Sequence, residues 1–204
     1  MAYEAKNFEN LNETDGFSAA LLKNHFTLYQ GYVTNTNKLI DALEKLLAEG
    51  KTATPEYAEL KRRFGWEYNG MRLHEYYFGN MIKDGANLSM NSKLFKKIIE
   101  DFGTYEAWEK DFRAVGAMRG IGWIILYYDS VSDKLFNVWV NEHDVGHLAG
   151  AEPLLVMDVF EHAYMTDYGL KKADYIAAFF KAIDWESVSQ RYSMCAGCEC
   201  KECK

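Results

Sequence analysis

Apolar and aromatic side chains recur at the 3.6-residue period of an amphipathic helix along the first long stretch of the chain. Leu21, Leu22, His25, Leu28, Tyr29, Tyr32, Leu39, Ile40, Leu43, Leu46 and Leu47 mark it over residues 18–48. Ser18 supplies an N-cap and Gly50 a stop. The polar run Thr34-Asn35-Thr36-Asn37 predicts a kink inside it. Thr54-Pro55, a cap followed by proline at the first helical position, predicts a second helix reaching about residue 63. A third helix is expected after Gly70. It carries His74, Tyr77, Phe78 and Met81 on one face and ends at Asp84-Gly85. Two shorter helices, over 92–102 and 105–116, are divided by Gly103-Thr104.

The pattern then changes. Residues 122–128 are rich in β-branched and aromatic side chains and read as a strand. A turn at 130–133 returns the chain as a second strand over 135–140, and the apolar run from Pro153 to Asp158 forms a third. Helices resume over 174–183 and 185–192. The predicted class is α+β. A helical hairpin domain (1–88) is followed by an α/β domain with a small three-stranded antiparallel sheet (89–192) and a cysteine-rich tail (193–204).

Composition narrows the function. The chain is 49% apolar and 15% aromatic, enough for a sizeable core and against disorder. Its net charge of −7 argues against a nucleic-acid partner and requires any anionic substrate to find a local basic group. No apolar run approaches the length of a membrane span, and the first residues carry no charged-then-apolar signal pattern, so a cytoplasmic address is expected. All four cysteines fall in the last ten residues, which leaves the folded body without a disulfide.

The candidate chemistry concentrates in Asp158-Val159-Phe160-Glu161-His162. If the chain coils as the third strand ends, the Asp158 carboxylate and the His162 imidazole converge on one point. That is half of a site for iron, manganese or zinc. His25 and His74 lie among apolar neighbours and point inward, so they are the best candidates for the other half. Buried imidazoles without a shared partner would be costly, and a metal ion is the economical partner. Glu161 reads as a carboxylate that orients a ligand imidazole.

These residues resemble the iron/manganese superoxide dismutase family over about residues 17–192. The motif Asp158-Val-Phe-Glu-His-Ala-Tyr164 carries the likeness, with His25 followed by Gly31-Tyr32-Val33, the run from Asn69 to Met81 around His74, and Gly120-Ile-Gly122-Trp123. The resemblance implies four metal ligands, His25, His74, Asp158 and His162, holding one iron or manganese ion with a solvent molecule as fifth ligand. It implies a gateway role for Tyr32 and a pocket walled by Trp123, Tyr77, Phe78 and Phe160. His143 falls where an archaeal-like subset places the group bonded to that solvent. Glu161 would meet His162 of another subunit in a homodimer, or in a tetramer built from it, and superoxide would be the substrate. Lys172 takes the place of the family's basic residue before Asp-Tyr and is the candidate for local anion attraction.

Three departures stand out. The first helix is one residue short between ligand and gateway tyrosine, and Tyr29 and Met165 replace a histidine and a tyrosine that meet across the family's dimer interface. They keep alive an alternative, a catalytically altered member with a metal-binding or structural role. Outside the resemblance, Cys195, Cys198, Cys200 and Cys203 form C-x2-C-x-C-x2-C, which can surround a soft ion such as zinc or copper(I) or serve a redox role; the alternative is a disordered thiol tail.

Overall fold

The computed structural model describes residues 2–197. Two long antiparallel helices open the chain, α1 (Ala19–Ala48) and α2 (Pro55–Phe78). Ser18 and Thr54 cap them, each accepting from the backbone N–H three residues on. Helix α1 keeps its expected span and cap, while α2 departs from the expected outline. Helix α1 runs unbroken through Thr34–Asn37, where the sequence predicts a kink, and the polar side chains of Thr34 and Asn37 are satisfied. Thr34 returns its hydroxyl proton to the Gln30 carbonyl, and Asn37 grips both backbone groups of Tyr3. The second and third predicted helices are one element. Gly65 and Gly70 would weaken an isolated helix by about 1 kcal/mol each, but packing against α1 carries the helix through both. It stops at Gly79, before the expected Asp84-Gly85.

Helices α3 (Lys93–Phe102) and α4 (Tyr105–Gly116) lead into the sheet. Strands β1 (Gly122–Asp129), β2 (Lys134–Asn141) and β3 (Glu152–Asp158) are antiparallel, in the order β2-β1-β3. The register sets Trp123 of β1 opposite Asp158 of β3. A 3-10 turn (Glu161–Ala163) and helices α5 (Met165–Tyr168), α6 (Lys172–Lys181) and α7 (Trp185–Ala196) complete the described chain. No helix of the described residues is long and apolar enough to cross a membrane.

One apolar cluster spans helices and sheet, from Leu21 and Phe78 through Trp123 and Val156 to Phe179. The outer edge of β3 is closed by side chains. Asn80, fully buried, accepts from the Val156 N–H at 2.9 Å, and Arg191 donates to the Leu154 carbonyl at 2.8 Å. Asn80 thereby fixes the end of α2, three residues after the buried Tyr77-Phe78 pair begins, against the strand that ends in Asp158.

A second polar anchor joins α3 to the β1–β2 turn. The Lys97 ammonium is 4% exposed and lies 3.0 Å from Glu100, 3.3 Å from Asp101 and 3.4 Å from Asp133. Burial works against its charge, and the carboxylates more than offset it. Lys97→Met leaves Asp101 poorly solvated without its cation. Chemical unfolding of the metal-free protein should show a loss of roughly 2–4 kcal/mol. A change below about 0.5 kcal/mol would mean that solvent already screens the cluster.

Candidate metal centre

The crossing of α1 and α2 sets the His25 and His74 rings edge to face, 5.0 Å apart. Asp158 ends β3, and the 3-10 turn after it folds His162 back four positions, as the spacing anticipates. The four side chains offer donor atoms that all lie within 4.8 Å of one another. Nε2 of His25, His162 and His74 lies 3.2, 3.1 and 3.7 Å from Asp158 Oδ2. Asp158 Oδ1 is turned away and accepts from the Phe160 N–H at 2.8 Å.

His74 tests whether the cluster fits a cation. Its Nδ1 sits 2.6 Å from the Gly70 carbonyl and must carry the proton, so Nε2 presents a lone pair. That Nε2 is buried and has no hydrogen-bond partner. A lone pair aimed at a carboxylate oxygen is unfavourable unless a cation lies between them. The donor set, three imidazoles and one carboxylate, suits a first-row transition metal. Burial lowers the pKa of His25 and pushes that of His74 well down, which keeps both lone pairs available. Burial alone would raise the Asp158 pKa. His162 and His25 beside it more than offset that and hold the carboxyl well below the usual range.

Aromatic rings enclose the cluster. Phe78 and Tyr77 lie 4.9 and 5.2 Å from the His25 ring, Trp123 lies 5.0 Å from His74, and Phe160 stacks 5.2 Å from His162. The Tyr175 hydroxyl donates to the Asp158 carbonyl at 2.6 Å and so accepts from Tyr77 at 3.1 Å. Tyr77 is therefore both a wall and the end of a chain that fixes the backbone of Asp158.

Beside the cluster, His143 is fully buried between Trp123 and Tyr32. The Trp123 indole can only donate, so His143 Nδ1 accepts at 3.1 Å and the neutral ring carries its proton on Nε2. That N–H donates to the Tyr32 hydroxyl oxygen at 2.7 Å. The Tyr32 O–H proton is thereby left for another acceptor. Burial, with the charges of Asp158 and Glu67, pushes the Tyr32 pKa up to about 12. Burial pushes that of His143 down to about 4 from its ordinary 6.5. A folded-state pKa below the unfolded one makes stability complete above pH 6.5 and lost as pH falls toward 4. His143 should contribute on the order of 3 kcal/mol to that loss in metal-free protein. Thermal unfolding between pH 7 and 4 should fall less steeply for His143→Gln, which keeps both hydrogen-bonding roles without titrating. Equal slopes would refute this.

Other expected site residues lie elsewhere. Glu161 is exposed and His162 keeps 23% of its side chain exposed, which leaves both open to the contact expected between subunits. Tyr29 turns away from the four donors. Its hydroxyl donates to Glu75 at 3.1 Å and accepts from the Lys6 N–H at 2.9 Å. Lys172 donates to the Met118 carbonyl and lies over Trp139, not over the Tyr32–His143 pair. Of the tail cysteines, Cys195 sits half-buried in the last turn of α7; Cys198, Cys200 and Cys203 fall outside the described residues.

The sequence reading missed three supports. Trp66 meets His143 edge-on at 4.9 Å. His147 Nε2–H donates to the His143 carbonyl at 2.9 Å while Nδ1 accepts from Tyr127 at 2.7 Å. Gly70 underlies the Tyr32 ring, and a Cβ there would lie 2.5 Å from it. A histidine four residues beyond His143 was the only sequence signal for His147.

Comparison with known proteins agrees with this geometry. The family model described as iron/manganese superoxide dismutases, C-terminal domain, matches residues 90–191. A Haloferax volcanii protein named superoxide dismutase (Mn) 2 is 40% identical, over 82% of each chain. One from Aquifex pyrophilus named superoxide dismutase (Fe) is 37% identical, over 93% of this chain and 90% of its own. One from Cupriavidus metallidurans, also named as the iron form, is 36% identical, over 87% and 89%.

Proposed function

The chain belongs to the iron/manganese superoxide dismutase family, and from that premise we infer that it disproportionates superoxide to dioxygen and hydrogen peroxide. The observation that carries the reading is the convergence of three imidazole nitrogens on Asp158 Oδ2, with His74 Nε2 buried and unpartnered. His25, His74, Asp158 and His162 would hold one iron or manganese ion, which supplies one-electron oxidation and reduction when bound.

The remaining work falls to this chain's own groups. Gly70 and Phe160 fix the donor faces of His74 and Asp158 through backbone hydrogen bonds, so the ligand set is pre-formed. Trp123, Phe78 and Phe160 exclude bulk water, which strengthens electrostatic interactions inside. Trp123 holds His143 in one tautomer, and His143 holds Tyr32 with its hydroxyl proton free. Tyr32 then donates that proton at Oη toward the peroxide product, and solvent supplies the second proton and restores the phenol. A raised phenol pKa keeps the proton in place until a strongly basic product forms beside it.

A homodimer accounts for the exposed groups around His162. Its Nε2 is directed at Asp158, which leaves Nδ1–H to donate outward. Glu161, exposed on the same turn, suits that donor when presented by a second copy, an isologous contact. The cysteine tail is a separate proposal, a soft-ion site of four thiolates supported by its spacing alone. Removing residues 198–204 should lower bound zinc or copper and leave the dismutase unaffected. Protein reconstituted with manganese or iron should consume superoxide catalytically. Folded, fully loaded protein without superoxide turnover would sink the dismutase reading.

A further inference from the structure

A substrate anion approaching a protein of net charge −7 needs a local cation, and the Lys172 ammonium lies against the Met118 carbonyl and the Trp139 ring. Arg63, on α2 seven residues before Gly70, is better placed. Its Nε and one terminal nitrogen meet Glu67 Oε1 at 2.9 and 2.8 Å. The pair is polarised outward, since the Glu67 side chain is 6% exposed and that of Arg63 is 50% exposed. The guanidinium also lies 4.9 Å over Trp66, the ring that meets His143 edge-on. Arg63 is thus one aromatic ring away from the His143–Tyr32 pair, and its charge reaches both. The opposing charges there are Glu67 and Asp158, with Asp144 beside Gly65 on the facing loop.

We propose that Arg63 is the residue that draws the superoxide anion to the mouth of the Tyr32–His143 site. The proposal rests on the dismutase reading and adds to it the group that overcomes the protein's own negative field. The two fields predict opposite responses to salt. If net charge governed capture, screening would relieve repulsion and kcat/KM would rise with ionic strength. If the local cation governs it, kcat/KM falls as salt is added.

The unaltered, metal-loaded protein should therefore lose kcat/KM between about 10 and 300 mM salt, a range over which the Debye length shortens several-fold. Arg63→Gln should lower kcat/KM roughly threefold at low salt, leave kcat nearly unchanged and flatten the salt response. Arg63→Lys, which keeps the charge and loses the paired geometry on Glu67, should restore most of the rate. Spectroscopic titration with azide, a small monoanion, gives a readout that needs no turnover. Its Kd should rise roughly threefold in Arg63→Gln and little in Arg63→Lys. A flat or rising salt response in the unaltered protein would overturn the proposal, as would equal losses in both variants or unchanged azide affinity in Arg63→Gln. Absence of turnover in every protein would instead defeat the dismutase reading, while the azide series would still decide the role of Arg63.

Discussion

Asp158→Asn protein should fold normally and fail to retain manganese or iron. Asparagine can still accept from the Phe160 N–H through Oδ1, so the turn that brings back His162 survives. The other end of the side chain changes sign. Where Oδ2 now faces three imidazole nitrogens within 3.2, 3.1 and 3.7 Å, the amide is uncharged and can present N–H groups to those same lone pairs. The variant can satisfy the cluster without an ion, which removes the reason for an ion to bind. An affinity loss of about 100-fold or more is expected, at or above the upper end of what removing a supporting residue around a metal costs. Chelator competition with elemental analysis measures it, and circular dichroism checks the fold. Stoichiometric metal retained against a chelator that strips the variant's expected weak site would show that Asp158 is not a ligand.

Gly70→Ala should separate metal binding from turnover. The added Cβ would meet three Tyr32 ring carbons at 2.5, 2.7 and 2.9 Å, closer than real Cβ contacts allow. Tyr32 cannot simply swing aside, because it stacks on His74 with ring centroids 5.3 Å apart and accepts from His143 at 2.7 Å. Alanine gains about 1 kcal/mol of helix propensity over glycine, against an overpacking cost of about 1–3 kcal/mol, so net stability should fall only modestly. The Gly70 carbonyl still accepts from His74, and metal loading should persist. Turnover should fall about tenfold or more, the scale of a lost proton donor. A double-mutant cycle tests the cause. If Gly70 acts through Tyr32, adding Tyr32→Phe to Gly70→Ala should cost less than the two single losses combined. Additive losses, or full activity in Gly70→Ala, would contradict that coupling.

The partial legibility of α2 explains much of what the sequence could and could not reveal. Glycines at 65 and 70 read as boundaries, since local propensity prices them against a helix. Their use is decided across the helix pair, where the missing side chain at Gly70 makes room for Tyr32. At Thr34 and Asn37 the polar run suggested a kink; the two side chains bond back to Gln30 and out to Tyr3, and the helix runs unbroken. Lys172 was chosen for its charge and motif position, and only the fold shows that ammonium held by a backbone carbonyl.

By itself the sequence determined the α+β order of elements, the three strands, the inward faces of His25 and His74, and the return of His162 toward Asp158. These follow from periodicity and from separations of a few residues, where covalent geometry leaves few choices. The tertiary structure alone decided which nitrogen of His74 and His143 carries a proton, where Tyr29 sends its hydroxyl, and which ring lies between Arg63 and His143. Most of these depend on groups apart in the chain, such as Trp123 with His143 or Tyr29 with Glu75, brought together by helix crossing and strand register, whereas the His74 proton is set one helical turn away by the Gly70 carbonyl.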